Sequence, residues 1–306
     1  MVDHIASATR DLPHVSIGLP FYNAEAYLLD AIRSVFAQSH QNWELILVDD
    51  GSTDRSLEIA RSIDDPRVRV YSDGQNRRLA ARLNEITRLA QYDYLARMDA
   101  DDLMARDRLE RQLLLLESSP HVDLVTTGTY SLGIGEKLIG VRVVEKNHKI
   151  DPYKLLAGQS GILHAAILGR TKWFSRNPYD ESMSRSQDMN LWVRSFGKND
   201  LNIGFISSPL YFYREHESIT KKKLLLNYKS ARSTILEDAI NGFSKHDRLK
   251  AYMRSWIKTI GVYALYAVGV QDKIVIRRNK TSMRADRKKQ AMMELNHIYS
   301  CKVPIN

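Results

Sequence analysis

Hydrophobic and polar positions along the first 130 residues alternate between two spacings. Short aliphatic runs predict strands, and apolar residues at i, i+3 and i+4 predict amphipathic helices. The predicted strands are residues 14–19, 43–48, 68–71, 94–98 and 122–127, and the predicted helices are residues 24–38, 53–63, 79–90 and 106–117. Ser52 or Thr53 is the expected N-cap of the second helix. Short connections between alternating strands and helices predict parallel strands in an open α/β sheet.

The pattern changes after Gly128. Residues 130–144 alternate apolar and polar positions around glycines, which is typical of a hairpin. Residues 162–168 and 203–213 are predicted strands, residues 187–196 are a predicted helix, and the chain from residue 221 reads as basic helices. We therefore expect a body over residues 1–220 and a helical region over residues 221–306.

The charge divides at the same place. Residues 221–306 carry 19 Lys and Arg against 6 Asp and Glu, a net charge of +13, whereas residues 1–220 carry −4. Such a basic region suits anionic lipid, nucleic acid or an acidic substrate, and a solvated helical surface is the alternative. The uncharged run of 13 residues at 259–271 is too short to span a bilayer. It either lies in a membrane interface, with Trp256, Tyr263 and Tyr266 at headgroup depth, or packs on the body.

Composition excludes several classes of protein. With 43% hydrophobic and 26% charged residues, the chain of 306 residues has the make-up of a globular protein rather than a disordered one. Its single cysteine, Cys301, excludes an intramolecular disulfide and a cysteine-based zinc site. The first fifteen residues carry charges and no apolar run, so a cytoplasmic location is expected rather than secretion.

Polar and acidic residues follow three of the predicted strands. These residues are Pro20, Tyr22 and Asn23, then Asp49 and Asp50, then Asp99, Asp101 and Asp102. Because the carboxyl ends of parallel strands form the ligand edge of such a sheet, we expect these side chains to converge there. Carboxylates such as Asp99 and Asp101 suit Mg²⁺ or Mn²⁺, and ordinary turn carboxylates at the surface are the alternative.

Six ordered segments make the pattern specific. They are VSIGLPFYN at residues 15–23, LILVDDGSTD at 45–54, NRRLAARLN at 76–84, MDADD at 98–102, QDMNLW at 187–192 and YREHES at 213–218. Together they resemble family 2 glycosyltransferases of the GT-A fold. The resemblance implies an α/β, Rossmann-like, mostly parallel sheet with flanking helices. It also implies a catalytic domain over residues 1–220, with a nucleotide-sugar half at 14–128, an acceptor half at 129–220 and a basic helical region at 221–306.

The resemblance also implies roles for individual residues. Around the nucleotide-sugar it places Pro20, Tyr22, Asn23, Glu25, Asp50, Ser52, Arg78, Arg82 and Asp99. Within this set, Asp50 would accept a hydrogen bond from uracil N3–H. The metal, Mn²⁺ or Mg²⁺, would be bound by Asp99, Asp101 and His216, with an ordinary loop histidine as the alternative for His216. Near the acceptor it places Asp102, His164 and Trp192, the last two with a buried, structural role as the alternative.

Asp188 is the predicted catalytic base. An inverting transfer needs a carboxylate that takes the proton from the attacking acceptor hydroxyl. A helix-capping aspartate is the alternative. Two positions depart from the family pattern: Gln187 stands where Glu is frequent, and Arg78 stands where Gly is usual. Arg78 is then either a phosphate-binding cation or the sign of a different loop path.

The implied function is metal-dependent, inverting transfer of a sugar from a nucleotide-sugar to a glycan or lipid-linked acceptor in bacterial surface polysaccharide synthesis. A UDP-sugar is the favoured donor. A sugar nucleotidyltransferase is one alternative, but it would need a Gly-rich, Arg-containing loop after the first strand, where this chain has GLPFYN. A non-enzymatic scaffold bound to membrane through its basic tail is another. Residues 221–306 are also expected to contact an anionic inner membrane surface or to form a homo-oligomer interface, and a nucleic acid partner is not favoured.

Overall fold

The computed structural model describes residues 12–145, 148–215, 220–237, 241–268 and 283–306. Within these ranges nine strands form one sheet. They are β1 (Val15–Phe21), β2 (Trp43–Asp49), β3 (Val68–Ser72), β4 (Tyr94–Arg97), β5 (Leu103–Met104), β6 (Leu124–Leu132), β7 (Leu138–Arg142), β8 (Leu168–Arg170) and β9 (Ile203–Arg214). Their order is β3-β2-β1-β4-β8-β6-β9-β5, with β7 paired to β6.

The first four strands in the sheet order, β3, β2, β1 and β4, are parallel to one another, which confirms the expected α/β arrangement. β1 pairs in parallel with β2 and β4, and β2 pairs with β3. Beyond β4 the sheet is mixed, because β8 runs antiparallel between β4 and β6 while β6 and β9 are parallel. The expected hairpin is also present, formed by β6 and β7. The uniformly parallel half of the sheet, from β3 to β4, is therefore the half that carries the acidic strand ends.

Ten α-helices lie within the described ranges. They are α1 (Leu28–Phe36), α2 (Ser56–Arg61), α3 (Arg78–Leu89), α4 (Arg108–Ser118), α5 (Pro152–Leu156), α6 (Thr171–Arg176), α7 (Gln187–Gly197), α8 (Lys221–Leu236), α9 (Lys245–Ala267) and α10 (Ala285–Ser300). Helices cover both faces of the sheet. Apolar residues of α1 and α4 pack on one face, and those of α3, α6 and α7 pack on the other. Burial on both faces explains why β1 and β2 are continuous apolar runs.

Two local predictions are wrong. The N-cap of α2 is Arg55, which makes no side-chain capping bond, rather than Ser52 or Thr53. The hydroxyl of Ser52 instead accepts a hydrogen bond from the backbone N–H of Asn23, and the N–H of Thr53 donates to the Asn23 side chain. Residues 162–168 are not one strand, since residues 164–166 form a 3₁₀ turn and β8 begins only at Leu168.

The C-terminal helices pack on both sides of this body. α8 and α9 lie against each other and against α7 and α5, and Ile235 and Ala251 join the core there. α10 lies beside α1 and adds Leu295 and Ile298 to a separate apolar cluster with β5, β6 and β9. None of the described helices combines the length and the apolar character that crossing a membrane requires.

Candidate active site

The turn after β4 gathers three carboxylates. One oxygen atom from each of Asp99, Asp101 and Asp102 lies within 4.8 Å of the other two. The N–H of Asp102 donates to the carbonyl of Asp99 at 3.4 Å. The turn then enters β5, which pairs with β9. Because the turn is held by a strand at each end, its oxygen atoms have defined positions.

Asp102 is the buried member of this acidic cluster. Its residue is 1% exposed, and its Oδ1 accepts a hydrogen bond from the N–H of Arg214 at 2.8 Å. Its Oδ2 is buried and makes no hydrogen bond of normal geometry in the described residues, although the nearby Tyr211 hydroxyl acts on this carboxyl. Burial, together with the charges of Asp101 and Asp99, raises the pKa of Asp102 well above its ordinary value. Asp101 is exposed on one side, but the surrounding protein partly desolvates its carboxyl and, together with the charge of Asp99, raises its pKa to about 6. Crowded oxygen donors of this kind suit a hard divalent cation.

A buried arginine connects the acidic cluster to the predicted base. Nη2 of Arg97 donates to Oδ1 of Asp99 at 2.6 Å. Burial alone would lower the pKa of Arg97, but the charge of Asp99, with smaller contributions from two tyrosines and Asp188, raises it overall. Asp188 thus lies within electrostatic reach of the same guanidinium that binds Asp99.

A second buried arginine supports the turn from behind. Nη1 of Arg214 donates to the carbonyl of Asp101 at 2.8 Å, and its Nε donates to Glu136 at 2.9 Å. The hydroxyl of Tyr299, on α10, donates to Glu136 at 2.7 Å and accepts from Nη2 of Arg214 at 3.4 Å. The C-terminal helix and the β6–β7 hairpin therefore help to position the acidic turn.

The second acidic strand end has its oxygens largely occupied. Oδ1 of Asp50 accepts hydrogen bonds from the N–H groups of Arg77 and Arg78, at 2.7 and 3.1 Å, and from Nε of Arg82 at 3.0 Å. Asp50 therefore satisfies the first N–H groups of α3, which no intrahelical carbonyl can reach. Its Oδ2 accepts only the Arg78 N–H in the described residues and retains accepting capacity.

Arg82 and Arg78 complete this loop. The Arg82 side chain is almost fully buried and donates to Asp73 at 2.5 Å, to Glu85 at 2.8 Å and to a backbone carbonyl. These acceptors fix the loop, so the expected contact of Arg82 with a diphosphate stays a prediction. Arg78 has a φ of +70°, the left-handed conformation that a glycine adopts without strain. The backbone thus has the conformation that the family's usual glycine favours.

The loops after β1 and β2 are joined by hydrogen bonds. The N–H of Asn23 donates to Ser52 at 3.0 Å, and Glu25 accepts from the N–H of Arg55 at 2.9 Å. Pro20 is buried within β1, whereas Tyr22 is 50% exposed beside these loops. The structure thus brings the expected nucleotide-sugar residues to one edge of the sheet, with the Tyr22 ring open to a ligand.

Asp188 lies in the first turn of α7. The N-cap of this helix is Ser186, in a left-handed conformation and without a side-chain capping bond. Asn190, in the following turn, donates to Thr234 and to Glu237 at 3.4 and 3.1 Å. The helix that carries the predicted base is therefore attached to the end of α8.

His164 and Trp192 form a buried layer under the site. Nε2 of His164 and the hydroxyl of Tyr179 share a hydrogen bond of 2.8 Å. Burial and the charge of Arg97 lower the pKa of His164 well below its ordinary value, so the ring is neutral near pH 7. Trp192 is 3% exposed and packs against His164 and Trp173. The Trp192 ring therefore belongs to the core and offers no exposed face to an acceptor.

The family model named Glycosyl transferase family 2 matches residues 16–181. The chain belongs to this family. It is 34% identical over 217 residues to the putative glycosyltransferase EpsE of Bacillus subtilis, covering 69% of this chain and 76% of EpsE. It is 41% identical over 103 residues to the putative teichuronic acid biosynthesis glycosyltransferase TuaG of Bacillus subtilis, covering 33% of this chain and 41% of TuaG. The expected family and enzyme class are thereby confirmed.

Solved glycosyltransferase structures share the fold. The S. aureus TarS 1–349 structure in complex with UDP superposes with a TM-score of 0.59 at 14% identity, covering 93% of this chain and 80% of that one. The TarS 1–349 complex with UDP-GlcNAc gives a TM-score of 0.57 at 16% identity, covering 79% and 71%. The α/β GT-A architecture expected for this family 2 glycosyltransferase is confirmed.

Several residues of the candidate site lie outside the region that the family model matches. Asp188 and Arg214 follow residue 181. His216 lies outside the described residues. The sequence did not single out Arg97, Glu136 or Tyr299. A charged residue inside the apolar β4 is a signal that points to Arg97, whereas the contacts of Glu136 and Tyr299 arise only from tertiary packing.

Proposed function

We propose that this glycosyltransferase is a metal-dependent, inverting enzyme that transfers a sugar from a UDP-sugar to a glycan or lipid-linked acceptor in surface polysaccharide synthesis. The observation that carries the proposal is the acidic cluster of Asp99, Asp101 and Asp102, with its unpartnered, buried Asp102 Oδ2. The UDP and UDP-GlcNAc complexes of TarS support a uridine nucleotide. The name of TuaG supports a role in polysaccharide synthesis.

The donor set fits Mn²⁺ or Mg²⁺. Asp99 and Asp101 would hold the ion together with His216, and Asp102 would stand beside it. Hard carboxylate oxygens match the preference of both ions, and one imidazole is compatible with Mn²⁺. When bound, the ion would neutralise negative charge on the diphosphate leaving group.

The chain's own groups would orient the nucleotide. The free capacity of Asp50 Oδ2 suits the N3–H of uracil, and the exposed ring of Tyr22 suits the base. Pro20, Asn23, Glu25 and Ser52 would shape the same wall. The Arg78 side chain would approach the diphosphate.

Asp188 would act on the acceptor. Its carboxylate takes the proton from the acceptor hydroxyl, whose oxygen attacks the anomeric carbon from the face opposite the diphosphate. A new carbon–oxygen bond forms while the bond to the diphosphate oxygen breaks, and the diphosphate leaves with the electron pair. The configuration at the anomeric carbon is therefore inverted. His164 supports this side of the site from its buried position.

We place the enzyme on the inner face of the cell membrane, where lipid-linked acceptors are accessible. The attachment of α7 to α8 supports this arrangement, because it joins the helix of the predicted base to the basic C-terminal helices.

Calorimetric titration of UDP, with and without Mn²⁺, tests the proposal. We expect wild type to bind UDP in a Mn²⁺-dependent manner and Asp101→Asn to lose that dependence. Asp93→Asn is the matched control, since Asp93 is an exposed aspartate just before the opposite end of β4. GDP and dTDP are titrated if UDP does not bind. Failure of all three nucleotides would contradict the proposed function.

A further inference from the structure

One face of α9 exposes a continuous apolar surface. It consists of Leu249, Met253, Trp256, Ile257, Ile260 and Tyr263, each at least 44% exposed. At 100° per residue these positions fall within an arc of about 120°. They extend over about 21 Å of helix at 1.5 Å per residue. In the described part of the chain these side chains stay exposed, whereas the opposite side of α9, with Ala251 and Val262, is buried.

Cations border this face on both edges. On one edge, the Arg232 guanidinium lies over the Trp256 ring at 4.1 Å, and the Lys221 ammonium lies over the Tyr263 ring at 4.6 Å. On the other edge, Lys250, the residue after Leu249, is exposed, and its ammonium lies over the Tyr153 ring at 4.3 Å. A wide apolar stripe that includes aromatic residues and is flanked by Lys and Arg is the pattern of a helix lying in a membrane interface.

The neighbouring surface of α8 continues this pattern. There Leu225 and Leu226 form a shallow, open apolar surface beside the lysines at positions 221, 222 and 229. An apolar surface bordered by ammonium groups matches a lipid with an anionic headgroup.

We propose that the apolar face of α9 docks into an anionic membrane surface. The inference rests on the proposed location of the enzyme at a membrane and identifies the surface that makes the contact. Lys221, Lys222 and Lys229 of α8 meet the anionic headgroups while the apolar side chains of α9 enter the interface. A second copy of the chain is a poorer occupant. Two such faces would bring the same cations together, within a region of net charge +13.

Tryptophan fluorescence tests the contact directly. The chain has four tryptophans. Trp43, Trp173 and Trp192 are at most 3% exposed, so Trp256 is the exposed one, at 44%. Phosphatidylcholine vesicles containing phosphatidylglycerol and brominated acyl chains should quench Trp256, and Trp256→Phe should abolish the quenching. Absence of quenching in wild type would overturn the proposal.

Flotation with the same vesicles, unbrominated, tests the residues. Ile257→Glu combined with Ile260→Glu changes two exposed side chains, so the fold should be unaffected. We expect vesicle binding to be weaker by about tenfold or more. Ile134→Glu, a single substitution of the same type at an 85% exposed position outside the face, should float like wild type.

Three results would overturn the docking surface. These are undiminished flotation of the double variant, equal binding to pure phosphatidylcholine, and a wild-type dimer that the double variant converts to monomer. UDP titration of the same soluble preparations separates this inference from the proposed function. Vesicle binding without nucleotide binding would refute only the enzyme chemistry, and nucleotide binding without vesicle binding would refute only the docking.

Discussion

Two aspartate-rich turns follow β2 and β4, on either side of β1 at one edge of the sheet, and differ in what their oxygens contact. At the end of β2, Asp49 accepts from the Ser52 N–H and the Ser72 hydroxyl, and Asp50 accepts from α3 and Arg82. After β4, Asp102 keeps a buried oxygen without a partner, and Asp101 is open to solvent. The carboxylate oxygens of the first turn are mainly occupied by hydrogen bonds within the protein, whereas the second turn keeps carboxylate oxygens that could bind a ligand.

The difference shows how similar short motifs acquire different tasks. Buried polar atoms are normally hydrogen-bonded, so an unpartnered carboxylate oxygen among two others points to a ligand. In the β2 turn, buried Arg82 supplies positive charge to Asp50. In the β4 turn, Arg97 pairs with Asp99 and Arg214 binds the Asp101 carbonyl, and the proposed cation would bind at the exposed Asp101 carboxylate.

The largest expected effect on sugar transfer follows replacement of one carboxylate oxygen of Asp101. Asp101→Asn should lower sugar transfer by about a thousandfold, since a bound metal contributes several kcal/mol to stabilising the transition state. The melting temperature should stay within error, because the residue is exposed. Transfer assays with a UDP-sugar panel and thermal melts measure both. A large drop in melting temperature would mean that Asp101 is structural.

Asp188→Asn distinguishes the role of the proposed base from that of the proposed metal site. Transfer should fall by about 10²–10⁴-fold, the usual contribution of a general base. Mn²⁺-dependent UDP binding should be unchanged, because Asp188 acts on the acceptor. Steady-state kinetics beside calorimetry check this pair of results. Transfer at the wild-type rate would remove Asp188 from the mechanism.

Asp50→Asn should act on stability. The variant weakens the ion pair with buried Arg82 and the hydrogen bonds to the start of α3. We expect the free energy of unfolding to fall by about 2 kcal/mol, measured by urea denaturation. Arg82 retains Asp73 and Glu85, so the protein should still fold. An unchanged urea midpoint would contradict the structural role of this turn.

Tyr299→Phe tests the support behind the acidic cluster. It removes the hydroxyl that bonds Glu136 and Arg214 while keeping the ring. The free energy of unfolding should fall by about 1 kcal/mol. Affinity for Mn²⁺ with UDP should fall a few-fold, since Arg214 then holds the Asp101 carbonyl less firmly. Tyr252→Phe, in α9, is the control and should change neither quantity.

The smallest expected effect concerns Arg78, which has a left-handed backbone conformation and donates its N–H to Asp50. Arg78→Gly should raise the free energy of unfolding by about 0.5 kcal/mol, because relief of a left-handed conformation slightly exceeds the added flexibility of glycine. Arg77→Gly, at a φ of −97°, should lower it by a similar amount. Opposite signs at adjacent arginines are the expected outcome. Stabilisation at both positions would exclude strain as the cause.

Local sequence patterns were sufficient to predict the half of the sheet that carries the expected nucleotide-sugar residues. The apolar runs ending at Asp49 and Arg97 had the length and spacing of buried parallel strands, so their acidic ends could be placed together. The position of β8 between β4 and β6 depends on antiparallel pairing across long sequence separations, which no local spacing encodes. The link from Tyr299 to Arg214 likewise joins residues far apart in sequence.

Binding of Mn²⁺ itself tests the central claim most directly. Electron paramagnetic resonance of free Mn²⁺ should be measured with UDP present for wild type, Asp101→Asn and Asp49→Asn, the last as folded protein. We predict that wild type and Asp49→Asn deplete the free Mn²⁺ signal and that Asp101→Asn does not. Equal depletion by Asp101→Asn, or loss of depletion only in Asp49→Asn, would contradict the assignment of the two turns.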